Sequence, residues 1–162
     1  MSGRAPETAE RVRALMTLYL GTHYDVEMPG GAIATIRVGA PAPAPVQRWI
    51  GDDDVAFYAT ACNPRSTPLP LDQNLRRLET LRAELRTRGC RWLEGVGHVP
   101  GATWREPSLL IAGIGDAGIA EVVRCHDQNS VIVVPATSIA TLRVYRPEWR
   151  AFAGERADVE WA

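Results

Sequence analysis

The chain has 162 residues, enough for one domain with a buried core, and its composition of 46% hydrophobic and 23% charged residues is ordinary for a globular protein. A formal net charge of -1 argues against capture of nucleic acid or of an anionic membrane, since both draw on a basic excess. All 18 basic residues are arginine, so a P-loop lysine, a Schiff-base lysine and a lysine general base are excluded.

The first helix is expected to start near Pro6, with Glu7 and Glu10 at its positive end. Val12, Leu15, Met16, Tyr19 and Leu20 repeat at helical spacing, and Gly21 closes the element. Asp25 to Met28 and Ile33 to Val38 read as strands joined by the Pro29-Gly30-Gly31 turn. The proline-rich stretch Gly39 to Pro45 reads as a surface loop, and Val46 to Ile50 as a short helix. Val55 to Ala61 is an apolar run suited to a central strand buried on both faces. Asn63-Pro64 ends it, because proline has no N–H for a sheet ladder.

Asp72 reads as the cap of a helix whose stripe is Leu71, Leu75, Leu78, Leu81 and Leu85, ending at Gly89. The arginines around that stripe, interleaved with Glu79 and Glu84, read as a solvated ion-paired face. Arg91 to Val96 is a strand and Gly95 to Gly101 a glycine-rich loop. Ser108 to Ile114 is a further strand, followed by a helix capped by Asp116. Val131 to Val134 and Ile139 to Tyr145 are the last strands. The expected fold class is α+β (mixed α/β), a single mixed sheet with helices packed on it, in the order α-β-β-α-β-α-β-β-α-β-β. The whole chain, 1–162, reads as one domain with its core at about 7–145. The tail 146–162 carries Trp149, Phe152 and Trp161 and suits either a short helix or docking to a partner, including a second copy of the chain.

Three polar segments invite a site. Asn63, Arg65 and Ser66 follow the central strand, where ligands gather in open α/β sheets. Asn63 both donates and accepts, Arg65 offers a fork for phosphate or carboxylate, and Ser66 offers a hydroxyl. Asn74 lies in the first turn of the next helix, whose free N–H groups favour an anion. Read as architecture, the same residues make a turn, with Asn63 satisfying its own backbone and Arg65 a nearby carboxylate. Glu106 stands directly before a strand, as a general acid or base, a metal ligand, or an ion-pair partner of Arg65. Should Glu94 converge on Glu106, a hard cation would fit. Gln128 and Asn129 precede another strand, and their amides suit a planar polar ligand; equally, Asn129 suits the left-handed position past a helix end.

Cys62, Cys90 and Cys125 form no C-x-x-C pair, and no H-E-x-x-H appears, so no metal centre is expected. Cys62 is a nucleophile only if a His or Arg lowers its pKa, and as part of an apolar strand it reads as packing. No cofactor is indicated. A polar N-terminus and the lack of an apolar run of membrane length place the protein in the cytoplasm, with neither nucleic acid nor membrane as partner.

The order Thr60-Ala61-Cys62-Asn63-Pro64-Arg65-Ser66, Asn74, Trp104-Arg105-Glu106-Pro107-Ser108 and Gln128-Asn129 resembles the bacterial family called domain of unknown function 3293. The resemblance rests on the T-A-x-N-P and E-P-S segments, spans roughly Tyr19 to Val134, and departs where Cys125-His126-Asp127-Gln128 stands in place of an aromatic-Gly-Gln run. It implies a small single-domain protein in which Asn63, Arg65, Glu106 and Gln128 share one site, and it implies no activity. Two functions are therefore expected: an enzyme acting on a small anionic, nucleotide- or phosphate-like metabolite with Glu106 moving a proton, or a ligand-sensing or interaction domain in which the cluster is structural.

Overall fold

The eight strands β1 (His23–Glu27), β2 (Ile33–Ile36), β3 (Val55–Ala59), β4 (Arg91–His98), β5 (Arg105–Ala112), β6 (Ser130–Pro135), β7 (Thr141–Val144) and β8 (Val159–Trp161) join in one mixed sheet of order β2-β1-β4-β5-β3-β6-β7-β8. They are seen in a computed structural model that describes residues 6–162. Five helices accompany the sheet among the described residues: α1 (Ala9–Gly21), α2 (Ala44–Ile50), α3 (Leu71–Arg88), α4 (Gly115–Cys125) and α5 (Arg150–Ala153). The α+β class and the element order hold through β7, after which the tail adds α5 and β8.

Alternation along the strands divides the core into two layers. Tyr24, Val26, Ile36, Ala56, Tyr58, Leu110, Ile132 and Leu142 face one side and pack with Val12, Leu15 and Met16 of α1 and Val46 and Ile50 of α2. Phe57, Ala59, Leu109, Ile111, Val131 and Val133 face the other side, under the α3 stripe Leu78, Leu81, Leu85 and the α4 stripe Ile119, Val122, Val123. Bridges from Val38 to Ala140 and from Pro41 to Ile139 link the stretch after β2 to the start of β7, so the sheet curls around its α1 side.

Several local expectations are corrected. Helix α1 starts at Ala9, because Thr8 rather than Pro6 caps it: its hydroxyl accepts from Arg11 N at 3.2 Å. Asp72 and Asp116 lie in the first turns of α3 and α4, where their charges suit the positive helix end, and neither is the cap. Gly95 and Gly97 lie inside β4 instead of in a loop. A Cβ at Gly95 would come 2.7 Å from Tyr58 Oη and still closer to the Asp25 carbonyl, so this strand position has no room for a side chain. Trp149 is fully buried in the α1-side core and Trp161 packs against it, so both tail tryptophans are used within the fold. Among the eight named strands of the described residues, only β7 and β8 pair in parallel; every other strand pair is antiparallel, and one isolated parallel bridge joins Val38 to Ala140.

That antiparallel centre positions the site. Strand β3 lies between β5 and β6 and is antiparallel to both, with Ala59 opposite Leu109 and Tyr58 opposite Ile132. The chain therefore leaves β3 at the edge of the sheet where β5 and β6 begin. The Asn63 turn, Glu106 and Gln128-Asn129 meet there because of strand direction, and the rule for parallel α/β sheets is not the reason.

Candidate functional site

At this edge, on the α1 side, lies a pocket of about 120 Å³. Leu15, Leu18 and Tyr19 of α1 form one wall; Asn63 and Ser66 come from the turn after β3. Trp104 comes from the approach to β5 and Glu106 and Ser108 from β5 itself, while Gln128 and Asn129 precede β6 and Ser130 opens it. Five of the expected residues, Asn63, Ser66, Glu106, Gln128 and Asn129, thus line one hollow.

Glu106 lies within β5, not before it, opposite Gly97 of β4. Its position puts it on the same face as Ser108 and Leu110, under α1. The carboxylate accepts one hydrogen bond, from Asn63 Nδ2 to Oε2 at 2.8 Å, and forms no ion pair among the described residues. Removal from water disfavours its charge and the Asn63 donor offsets this only in part, so the carboxyl pKa is pushed up to about 7.

The amide of Asn63 is held in one orientation. Its Oδ1 accepts from Asn74 Nδ2 at 2.8 Å and from Leu69 N at 3.0 Å, which leaves Nδ2 to face Glu106. Asn63 N in turn donates to Asn74 Oδ1 at 2.9 Å. Asn74 is buried, and its own N–H is spent on Pro70 O, so it braces Asn63 and does not offer an anion site at the helix end. With Oε2 occupied by the amide donor, the proton of neutral Glu106 belongs on Oε1.

The opposite wall is a chain of hydroxyls and amides. Tyr19 Oη and Ser66 Oγ share a short hydrogen bond, and Asn129 Nδ2 donates to Tyr19 Oη at 3.0 Å. Asn129 Oδ1 accepts from Arg146 Nε at 3.0 Å. Burial pushes the Tyr19 hydroxyl pKa up, with the Ser66 and Asn129 contacts acting against it, so it stays protonated. Gln128, buried, donates through Nε2 to Cys62 O at 2.9 Å and His126 O at 3.2 Å; its Oε1 takes no donor among the described residues.

Arg65 follows its architectural reading, pairing with a nearby carboxylate, and does not share the site with Glu106. Its Nε donates to both oxygens of Asp127 at 2.9 Å, and the side chain lines an adjoining groove, not the Glu106 pocket. The left-handed backbone explains part of this: Asn63, Arg65, Ser66 and Asp127 all have φ between 46° and 56°, and Arg65 N bonds Asp127 O. The left-handed residue past α4 is thus Asp127, and Asn129 is free to enter the pocket. Glu94 does not converge on Glu106. It pairs with Arg82 at 2.7 Å on the α3 side, opposite Leu109, so the cation reading falls. Among the described residues no group of His, Cys, Asp and Glu is arranged to hold a metal.

Cys62 is fully buried, its thiol directed at Pro107 O (3.5 Å) and Asn74 O (3.8 Å), and burial pushes its pKa up. It packs and braces; it is no nucleophile. Cys90 is also buried and Cys125 exposed, so a colorimetric thiol reagent should label one cysteine quickly in the native protein and all three after denaturation. A second fast thiol that persists in Cys90→Ser would show that Cys62 is reachable.

Tyr19 and Trp104 are pocket residues that the sequence did not assign to a site. Tyr19 sits within the apolar stripe of α1 and reads there as core; only the sheet curl brings its hydroxyl to Ser66. Among the described residues no helix is long and apolar enough to cross a membrane.

A family model described as protein of unknown function (DUF3293) matches residues 59–131, from the end of β3 to the start of β6. This stretch holds Asn63, Asn74, Glu106, Gln128 and Asn129, so the chain is similar to that family over the segments that build the pocket, and the match is shorter than the expected Tyr19 to Val134. No curated protein matches the chain, and no solved structure does.

Proposed function

We propose that the domain binds a small polar molecule in the Glu106 pocket and that Glu106 exchanges a proton with it as a general acid–base. One observation carries this reading: a carboxyl group with a pKa near 7, no cation beside it and a single oriented amide donor, opening onto a pocket. A structural carboxylate would normally be ion-paired, and an unpaired one in such surroundings costs stability.

The wall chemistry narrows the ligand. The pocket wall holds no Arg, and an ionised Glu106 repels an anion, so an anionic group does not belong inside it. Glu106 and Gln128 Oε1 accept hydrogen bonds, while Trp104 and Tyr58 supply aromatic surface. A planar molecule with N–H donors, such as a nucleobase or a cyclic amide, suits this set.

The test is a thermal-shift panel of nucleobases, nucleosides and cyclic amides against wild type and Glu106→Gln, followed by mass spectrometry for turnover. An enzyme converts a bound compound, and Glu106→Gln slows conversion by about 100-fold or more while binding persists. A sensor shows binding without conversion. No shift with any compound would contradict both.

A further inference from the structure

The groove beside the pocket has a chemistry of its own. It encloses about 380 Å³ and is lined by Arg65, Arg124, Arg146, Asp127, Gln128 and Tyr145, among others. Two of its guanidinium groups, those of Arg65 and Arg146, contact the one carboxylate, Asp127, and Arg124 adds a third basic residue to the lining, a surplus of two positive charges in a protein whose net charge is -1.

Its donors are aimed and in part unspent. Arg65 is fixed through Nε by Asp127, so both of its Nη groups take no hydrogen-bond partner among the described residues. Arg146 is fixed by Asn129 through Nε at 3.0 Å and by Asp127 through Nη2 at 3.1 Å, leaving Nη1 unspent. Arg124, exposed in the last turn of α4, makes no hydrogen bond or ion pair among the described residues. Asp127 thus acts as the post that orients two arginines, Arg65 and Arg146, in a hollow that Arg124 also lines. A carboxylate that only neutralised this corner would leave no such surplus.

We infer that the Arg65–Arg124–Arg146 groove is a binding site for a tetrahedral oxyanion of the phosphate class, either free or as the phosphate group of a larger molecule. Guanidinium groups suit this ligand because each presents a planar fork of N–H donors to adjacent oxygens. The inference does not rest on proton transfer by Glu106. Gln128 lines both hollows, so a phosphate-bearing ligand would lie close to the pocket.

Isothermal titration with inorganic phosphate at constant ionic strength tests this on wild type, Arg124→Ala, Arg124→Glu and Glu106→Gln. Arg124 is exposed on a helix surface, so its variants should keep the wild-type melting temperature. Saturable phosphate binding is expected, about tenfold weaker in Arg124→Ala, lost in Arg124→Glu and unchanged in Glu106→Gln. Tighter binding of adenosine monophosphate than of phosphate would place the anion on a larger ligand, and equal binding would point to the free ion; either upholds the site. Phosphate bound no better than chloride, or bound equally by Arg124→Glu, would overturn it.

Discussion

Glu106→Gln should make the protein more stable at pH 8, by up to about 3 kcal/mol, and leave its stability nearly unchanged at pH 4. The magnitude follows from a carboxyl raised from its ordinary value to about 7. In the unfolded chain this group loses its proton near the ordinary carboxylate pKa, while the folded protein keeps it until about pH 7. Between those values the native state binds the extra proton, so wild-type stability falls as pH rises. Above the folded pKa the full penalty of a desolvated charge is present; below the unfolded pKa both states are protonated and it vanishes. Urea unfolding of both proteins from pH 4 to pH 8 isolates the effect, because other titrating groups cancel in the difference. Parallel curves would mean that Glu106 is an ordinary surface carboxylate.

Asn74→Ala is expected to destabilise the protein by about 3 kcal/mol, although Asn74 stands one layer behind the pocket. It removes an acceptor for Asn63 N and a donor to Asn63 Oδ1, in a buried place where water does not readily replace them. The Asn63 amide is then oriented by Leu69 N alone, and a flipped amide sets its oxygen against Glu106. The same variant should therefore raise the Glu106 pKa further, since the one donor that favours the carboxylate is lost. Denaturant midpoints report the first effect, and the pH dependence of stability reports the second. Asn74→Asp, which keeps an acceptor for Asn63 N and loses the donor, should fall between wild type and Asn74→Ala in stability.

Much of the fold is legible in the chain because its signals are local. The α1 and α3 stripes, the apolar run of β3 and the proline that ends it all follow from neighbouring residues. Strand direction is not local. Helices between strands suggested parallel neighbours, whereas β5 and β6 both run against β3, and this alone brings three distant polar segments to one edge. Gly95 reads as part of a glycine-rich loop, yet it sits in a strand, where Tyr58 Oη and the Asp25 carbonyl fill the space of a Cβ, and Pro107 lies opposite Val96 in the same long β4–β5 ladder.

The site was legible as a set of residues but not as a set of partners. Asn63, Glu106, Gln128, Asn129 and Ser66 converge as expected. Arg65 does not join them, because Asp127, 62 positions away in the chain, offers it a two-oxygen contact. Partner choice of that kind depends on the left-handed turns at Arg65 and Asp127, and nothing in the spacing of these residues announces them. On the readings proposed above, the anion chemistry expected of the Asn63 turn belongs to the neighbouring groove, and the proton exchange to the pocket.

The titration of the Glu106 carboxyl carbon, followed by carbon-detected NMR with Glu106→Gln to identify the resonance, tests the central claim most directly. The pocket described here predicts a midpoint near pH 7. A midpoint in the normal glutamate range would mean that water or a cation reaches the group, and Glu106 would then have no special capacity to exchange protons with a bound molecule.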